Sequence, residues 1–224
     1  MLPKLSYRTT WTDEYPHLSR RQAAEQLQIS PGGIDRLLDS RYLPDLSVQR
    51  IWDLSKRRIL IADGCQPVLR QGLMAPADDD PSTKYPREFI GESADLTNDQ
   101  VLAADQQWWR CEPQNVVNAR FLPVTIAGFP VTVLKILGDR ERDRITHRFT
   151  ARNGREMTEI RYSFEARLAG RVKELGHLHA DEDSSEAFCI DPDLSDAERE
   201  RVLFLLKGRS TAQSGGPIAY LPNA

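Results

Sequence analysis

Cysteine is scarce in this sequence, which has only Cys65, Cys111 and Cys189, all far apart. An odd number of cysteines without a CxxC pair does not suggest a disulfide framework or a zinc knuckle. No apolar run approaches the ~20 residues that a membrane-spanning helix needs. The opening stretch, MLPKLSYRTTW, lacks the apolar core of a signal peptide. We therefore expect a cytoplasmic protein with no membrane partner.

Enzyme motifs are also missing. The chain has no GxGxxG, no phosphate-binding loop, no GxSxG and no HExxH. His177 and His179 have a spacing that could bind a metal ion, but the sequence indicates no third ligand. We therefore predict that the protein is not an enzyme and that it carries no metal and no cofactor.

The composition is that of a globular protein, because 40% of the 224 residues are hydrophobic and 28% are charged. This length exceeds the about 100–200 residues typical of one domain, so two domains are expected. Residues 1–72 and 111–175 carry excess positive charge, whereas residues 73–110 and 176–224 are acidic. Basic regions can attract phosphate groups, but solvation of a protein surface explains the same charges.

Three prolines and a triple aspartate interrupt residues 73–93, which show no apolar period. This composition is typical of a linker or a surface loop. We therefore predict a DNA-binding domain over residues 1–72, a linker over residues 73–93, and a domain over residues 94–224. The last domain would dimerise or sense a ligand.

Capping signals predict three short helices in the first domain. Ser19 and Gln22 have the spacing of a capping box, Ser30 followed by Pro31 marks a second helix start, and a third helix is expected from Ser47. Apolar residues at helical spacing give these helices their inner faces. Asp63-Gly64 is a turn dipeptide within an alternating stretch, which predicts a short hairpin over residues 58–71.

The apolar period changes from 3.6 to 2 after Val116, which predicts strands. Two turn dipeptides, Ala127-Gly128 and Asn153-Gly154, predict two hairpins and thus a four-stranded antiparallel sheet with helices on one face. The expected facing pairs are Val124 with Val131, Leu122 with Val133, Ile145 with Tyr162, His147 with Ile160, and Phe149 with Thr158.

Capping boxes predict two further helices, one running from Thr97 through the pair Trp108-Trp109, the other from Ser195 to Gly208. The tail GGPIAYLPNA is interpreted as an edge strand. Together these elements predict an α+β domain with an antiparallel sheet and flanking helices.

The stretch LSRRQAAEQLQISPGGIDRLL, residues 18–38, has the apolar spacing of a helix-turn-helix. It resembles the excisionase/MerR-like branch of helix-turn-helix DNA-binding proteins over about residues 18–58. Members of that branch commonly carry a hairpin wing directly after the second helix. Here the predicted hairpin follows the third helix, so a wing would be displaced. Gln28 stands at the turn position that glycine usually occupies.

The resemblance implies that the second helix enters the major groove of DNA. The residues that would then face bases or phosphates are Ser30, Gly32, Asp35 and Arg36. Arg20, Arg21 and Arg41 would hold the flanking backbone, and Lys56 and Arg57 would form a phosphate clamp. Favourable placement of cations at a helix C-terminus explains Lys56 and Arg57 as well.

These expectations indicate a bacterial, sequence-specific protein that binds double-stranded DNA, either a transcriptional regulator or a mobile-element control factor. One helix-turn-helix covers a short site, so a homodimer or a cooperative array is expected. The alternative is a protein-interaction module whose degenerate helix-turn-helix contacts another protein and not DNA.

Overall fold

The structure is a computed structural model, and it describes residues 17–79, 84–150, 154–176, 187–212 and 216–224. The predicted mixed α+β class is confirmed. The helices are α1 (Arg20–Leu27), α2 (Pro31–Asp39), α3 (Val48–Ser55), α4 (Asn98–Asp105), α5 (Pro113–Ala119) and α6 (Asp196–Lys207). The strands are β1 (Pro67–Arg70), β2 (Ala75–Pro76), β3 (Phe89–Ile90), β4 (Gln107–Trp109), β5 (Phe121–Ile126), β6 (Phe129–Ile136), β7 (Asp143–Thr150), β8 (Glu156–Ser163), β9 (Ala166–Val172), β10 (Phe188–Ile190) and β11 (Ile218–Tyr220).

Capping residues set the starts of the helices as predicted. Ser19, Thr97 and Ser195 each accept a hydrogen bond from the backbone three residues later, and the glutamine or glutamate there completes a capping box. Ser30 caps α2, and Pro31 occupies its first turn. Helices therefore occur at the three predicted N-terminal positions. That they form a DNA-binding helix-turn-helix stays a prediction.

The main sheet has six strands in the order β10-β9-β6-β5-β1-β11. Strand β1 pairs parallel with β5, and the other neighbours are antiparallel. The predicted hairpins β5-β6 and β7-β8 both form, but β7 and β8 belong to a separate sheet with β4. The predicted single four-stranded sheet is therefore wrong.

Both faces of the main sheet are covered, and not one face as predicted. Helices α1, α2, α3 and α6 share one hydrophobic cluster with residues such as Phe129 and Val131. On the opposite face Val116 and Val117 of α5 pack with Trp109 and Phe164. Because both faces are covered, every residue of β5 is buried.

The β5-β6 turn forms at Ala127 and Gly128, which both have positive φ as a two-residue hairpin turn requires. A bulge between Val124 and Thr125 then shifts the strand pairing by one residue. The apolar alternation gives no sign of this extra residue, so the predicted facing pairs are wrong. The observed pairs are Val124 with Thr132 and Leu122 with Leu134.

The β7-β8 hairpin also differs from prediction by one residue. Thr150 faces Glu156, so an odd number of residues separates the strands and the expected two-residue turn does not fit. Asn153 of that turn lies outside the described residues. A one-residue shift turns one strand over relative to the other, so the predicted apolar face is lost. The observed pairs include Ile145 with Arg161, His147 with Glu159, and Phe149 with Met157.

The hairpin predicted over residues 58–71, the candidate wing, does not form. Ile59 and Ala62 instead bridge to Arg209 and Asn223, and β1 pairs with β5 and β11. The predicted domain boundary at residue 72 thus falls just after β1, which is a strand of the main sheet. In the predicted linker, β2 pairs with β3, and Glu92 is fully buried.

The prediction for the tryptophan pair is wrong in part, and the prediction for the C-terminal tail is confirmed. Helix α4 ends at Asp105, so Trp108 and Trp109 lie on β4 and not on the helix, although both are buried. The tail strand is confirmed, because β11 forms an edge of the main sheet. Within the described ranges, no helix combines the length and apolarity needed to cross a membrane.

A buried polar network joins the helices to the sheet. Arg171 of β9 donates from Nε to the Tyr42 hydroxyl (2.9 Å) and from its two Nη atoms to the carbonyls of Ser93 and Leu96 (both 2.6 Å). The Tyr42 hydroxyl donates to Oε2 of Glu92 at 2.8 Å. Three chain segments that are distant in sequence therefore meet around one guanidinium.

Glu92 extends this network to Asp105 at the end of α4. Both carboxyls are fully buried, and Oε1 of Glu92 and Oδ2 of Asp105 each have no hydrogen-bond partner among the described residues. Burial, and then the charge of Glu92, raise the pKa of Asp105 well above its usual range. A protonated Asp105 supplies the donor that two adjacent carboxyls need. Its Oδ1 accepts from Nε2 of Gln71 at 2.6 Å.

The raised pKa makes folding dependent on pH. The folded state favours protonated Asp105, so its stabilising contribution is present in acid and is lost as the pH rises through the raised pKa. Asp105→Asn keeps the shape and removes the titration. We expect it to flatten the decline of unfolding free energy with pH by up to about 1.4 kcal/mol per pH unit. Urea unfolding between about pH 4 and pH 8 measures this slope.

The control is Asp99→Asn, an exposed position in the first turn of the same helix. It should keep the wild-type slope. An unchanged slope in Asp105→Asn would mean that this carboxyl does not carry the proton.

Candidate nucleic-acid interface

Helix α2 buries one side and presents the other to solvent. Ile34 and Leu37 are fully buried, whereas Gly32 and Arg36 are exposed. A Cβ placed on Gly33 would lie 3.2 Å from Cδ1 of Ile29, but one placed on Gly32 would meet nothing within 4 Å. Gly33 therefore serves packing inside the chain, and the space outside Gly32 is open.

The connection from α1 to α2 is short and has left-handed backbone at Gln28 (φ 52°, ψ 44°). The backbone N–H of Gln28 donates to the carbonyls of Ala24 and Glu25 and closes α1. Glutamine thus adopts the conformation for which glycine is usually selected. Ser30 follows, and its Oγ accepts from the Gly33 N–H at 3.1 Å.

Three of the predicted phosphate-contacting arginines have carboxylate partners. Arg20 pairs with Asp35 (Nε to Oδ1, 3.1 Å), which brings two predicted site residues together across α1 and α2. Arg21 pairs with Glu25 at 3.0 Å, and the third pair joins Arg41 to Asp95 at 3.1 Å. All three pairs are largely exposed. Such pairs contribute only about 0–1 kcal/mol, so each arginine could exchange its carboxylate for a phosphate.

Lys56 and Arg57, the predicted clamp, have different surroundings. Lys56 is exposed, lies 3.8 Å from Asp53, and sits over the Trp52 ring. Nη1 of Arg57 donates to the carbonyl of Leu206 in α6 at 2.9 Å, and the guanidinium lies over Phe129. Arg57 therefore joins α3 to the sheet and to α6, which is a structural role.

Arg36 lies at a cleft of about 620 Å³ that also contacts the β5-β6 turn and the chain after α6. Its Nε donates to the Gly32 carbonyl at 3.2 Å. Arg70 and Arg209 line the same cleft, and its lining includes no Asp or Glu among the described residues. Sequence reasoning missed Arg70 and Arg209, because only the fold brings these distant positions together.

Arg209 is held in place at the cleft wall. Nη2 donates to the Gln28 carbonyl at 3.2 Å, and the guanidinium lies 5.4 Å from the centre of the Phe129 ring. Burial lowers the pKa of Arg209. Arginine nonetheless keeps its proton in proteins, so the site carries a fixed positive charge.

In the part of the chain that the structure describes, no three or more His, Cys, Asp or Glu side chains come together in a way that could hold a metal ion. The sequence candidates His177 and His179 lie outside the described residues.

Comparisons with protein-family models, with curated proteins and with solved structures found no match to this chain. The resemblance to excisionase/MerR-like proteins therefore stays a prediction.

The different surroundings of Lys56 and Arg57 predict different effects on stability. Arg57→Ala removes a charged hydrogen bond and ring packing, so we expect a loss of about 1–3 kcal/mol in unfolding free energy. Lys56→Ala should change it by less than about 0.5 kcal/mol. Urea unfolding of both variants tests this, and equal effects would contradict the structural role of Arg57.

Proposed function

We propose that the chain binds double-stranded DNA through the exposed side of α2, as a regulator of transcription or a control factor of a mobile element. The observation that carries the proposal is the position of Arg36. It lies on the outward side of α2, beside a cleft that holds two further arginines and no acid among the described lining residues.

The shape of α2 is compatible with entry into a major groove. Its first turn presents Ser30, Pro31 and Gly32, which are small or compact and exposed. Small residues let the backbone of a helix approach a nucleic-acid strand closely. The positive end of the α2 dipole also favours phosphate, although Pro31 has no N–H group and the Gly33 N–H already donates to Ser30.

The guanidinium of Arg36 is suited to recognising a DNA base. A guanidinium can donate two hydrogen bonds to the O6 and N7 atoms of guanine, which is the commonest specific contact to a base. Arg20 and Arg41 would hold the flanking phosphates after releasing their carboxylates. Asp35, paired with Arg20, would limit attraction to phosphate near the middle of α2.

A homodimer or a cooperative array follows from the size of this surface. One short helix reads few base pairs, and specific sites usually combine two such units. Assembly in pairs is therefore part of the proposal.

The test is retention of DNA fragments from around the gene of this protein in a gel-shift series. We expect Arg36→Ala to weaken binding by about 1–3 kcal/mol, or roughly fivefold to 150-fold, at unchanged fold. Arg41→Ala, at a phosphate position, should weaken all fragments alike and reduce the salt dependence. Wild-type affinity should fall steeply between about 50 mM and about 200 mM salt.

The matched control is Arg199→Ala, an exposed arginine on α6 that does not line the cleft. Its binding should equal wild type. Equal retention by wild type and Arg36→Ala, or no retention of any fragment by the wild type, would contradict the proposal.

A second candidate function is recognition of another protein. The carboxylate partners of Arg20, Arg21 and Arg41 favour it, because they weaken the field that attracts DNA. So does α3, where Trp52 keeps 51% of its surface exposed. Tryptophan is enriched at protein interfaces. Failure of the wild type to retain DNA would favour this candidate.

A further inference from the structure

We propose that two copies of this chain associate through the free edge of β7, which pairs antiparallel with β7 of the second copy. The two three-stranded sheets then join into one sheet. Strand β7 pairs with β8 on one side, and no described strand pairs with its other side. The inference names a surface for assembly in pairs, and it does not depend on DNA binding by the chain.

The free edge of β7 is long and regular. The other outer strands of the two larger sheets, β4, β10 and β11, have three residues each, whereas β7 has eight. Folded proteins protect sheet edges by short length, proline, bulges or charged side chains, above all lysine. Strand β7 contains no proline or lysine, and its pairing with β8 has no register shift. Such an edge favours pairing with a further strand, provided that its arginines do not meet like charge.

The sequence of β7 is self-complementary in one register. A twofold axis at His147 places the two copies of β7 opposite one another over almost their whole length. Ile145 then faces Phe149 of the second copy, and Arg148 faces Thr146 of the second copy. An axis at Thr146 or Arg148 would instead place arginine opposite arginine, which destabilises an antiparallel pair. The axis at His147 therefore gives the longest pairing without opposed like charges.

One face of the β7-β8 hairpin carries apolar side chains that this pairing would cover. Ile145, His147 and Phe149 are half-buried on that face, and the rings of His147 and Phe149 stack with their centres 6.1 Å apart. Met157 of β8 pairs with Phe149 and keeps 45% of its surface exposed. A twofold axis perpendicular to the sheet keeps both apolar faces on the same side, so they meet side by side. Burial of apolar surface drives such an association.

The opposite face of the hairpin has complementary charges at its two ends. Arg144 and Glu156 are exposed there, and neither forms an ion pair within the described residues. In the proposed register Arg144 faces Thr150 of the second copy, and Glu156 is the residue that pairs with Thr150. The two charges then lie two strand spacings apart, or about 10 Å between Cα atoms. Two long side chains can bridge this distance, and the twofold axis creates the contact twice.

Sedimentation equilibrium of the full chain tests the association. We expect a concentration-dependent dimer for the wild type. Arg144→Glu and Glu156→Arg should each weaken the dimer by about fivefold or more, because each places like charges at both symmetric contacts. The double variant should recover most of the wild-type association. It is a matched control, because it keeps the wild-type net charge and because the two positions are about 20 Å apart within one chain.

Disulfide cross-linking tests the register. The exposed Cys65 and Cys189 are first replaced by serine, and this parent protein gives the background. His147→Cys then places a cysteine opposite its own copy, at a Cα separation of about 4.5–5.5 Å that a disulfide can span. Arg144→Cys, at an exposed position on the same strand, lies about 20 Å from its copy and should not cross-link above background.

A wild type that stays monomeric up to about 100 μM overturns the inference. A dimer that Arg144→Glu leaves unchanged, or that the double variant does not restore, also overturns it, because association would then use another surface. Equal cross-linking at His147 and Arg144 has the same meaning. DNA retention is measured separately. A dimer that retains no DNA counts against the proposed function alone, whereas a monomer that retains DNA counts against this inference alone.

Discussion

The buried guanidinium of Arg171 is the interaction on which the arrangement of this molecule depends. It is buried against Tyr42, which follows α2, and against the carbonyls of Ser93 and Leu96. A buried cation is tolerated only when carboxylates and hydrogen bonds compensate it, and loss of one partner costs about 3–5 kcal/mol. Glu92 supplies the compensating charge through the Tyr42 hydroxyl. Protonated Asp105 is the last member of this buried polar network. The apolar core brings helices and sheet together, but this network determines how they are oriented.

The orientation has a direct consequence for the candidate site. Tyr42 lies three residues beyond the end of α2, so fixing Tyr42 to β9 also fixes which side of α2 faces the sheet. Ile34 and Leu37 turn inward, and Arg36 turns outward toward the cleft. Gln71 connects the same network to the end of β1, directly after Arg70. Two of the three cleft arginines, Arg36 and Arg70, therefore lie on elements that the network holds in place.

Local signals in the sequence predicted the helices well, because capping at Ser19, Ser30 and Ser195 depends on neighbours within four residues. The sheet was predicted less well. The bulge at Val124 and the odd loop before Glu156 each moved a strand by one residue, and apolar alternation cannot reveal either. The parallel pairing of β1 with β5 joins segments about fifty residues apart, so no short pattern encodes it. For the site, the exposed position of Arg36 was predictable from helical spacing. The contributions of Arg70 and Arg209 were not, since they require the complete fold.

A double-mutant cycle on Tyr42 and Arg171 tests the central claim most directly. Urea unfolding free energies would be measured for wild type, Tyr42→Phe, Arg171→Lys and the double variant. If the hydroxyl and the guanidinium orient the helices on the sheet together, the two substitutions should be coupled by about 1 kcal/mol or more. Effects that add within about 0.3 kcal/mol would contradict the claim and would leave the apolar core as the sole determinant of the arrangement.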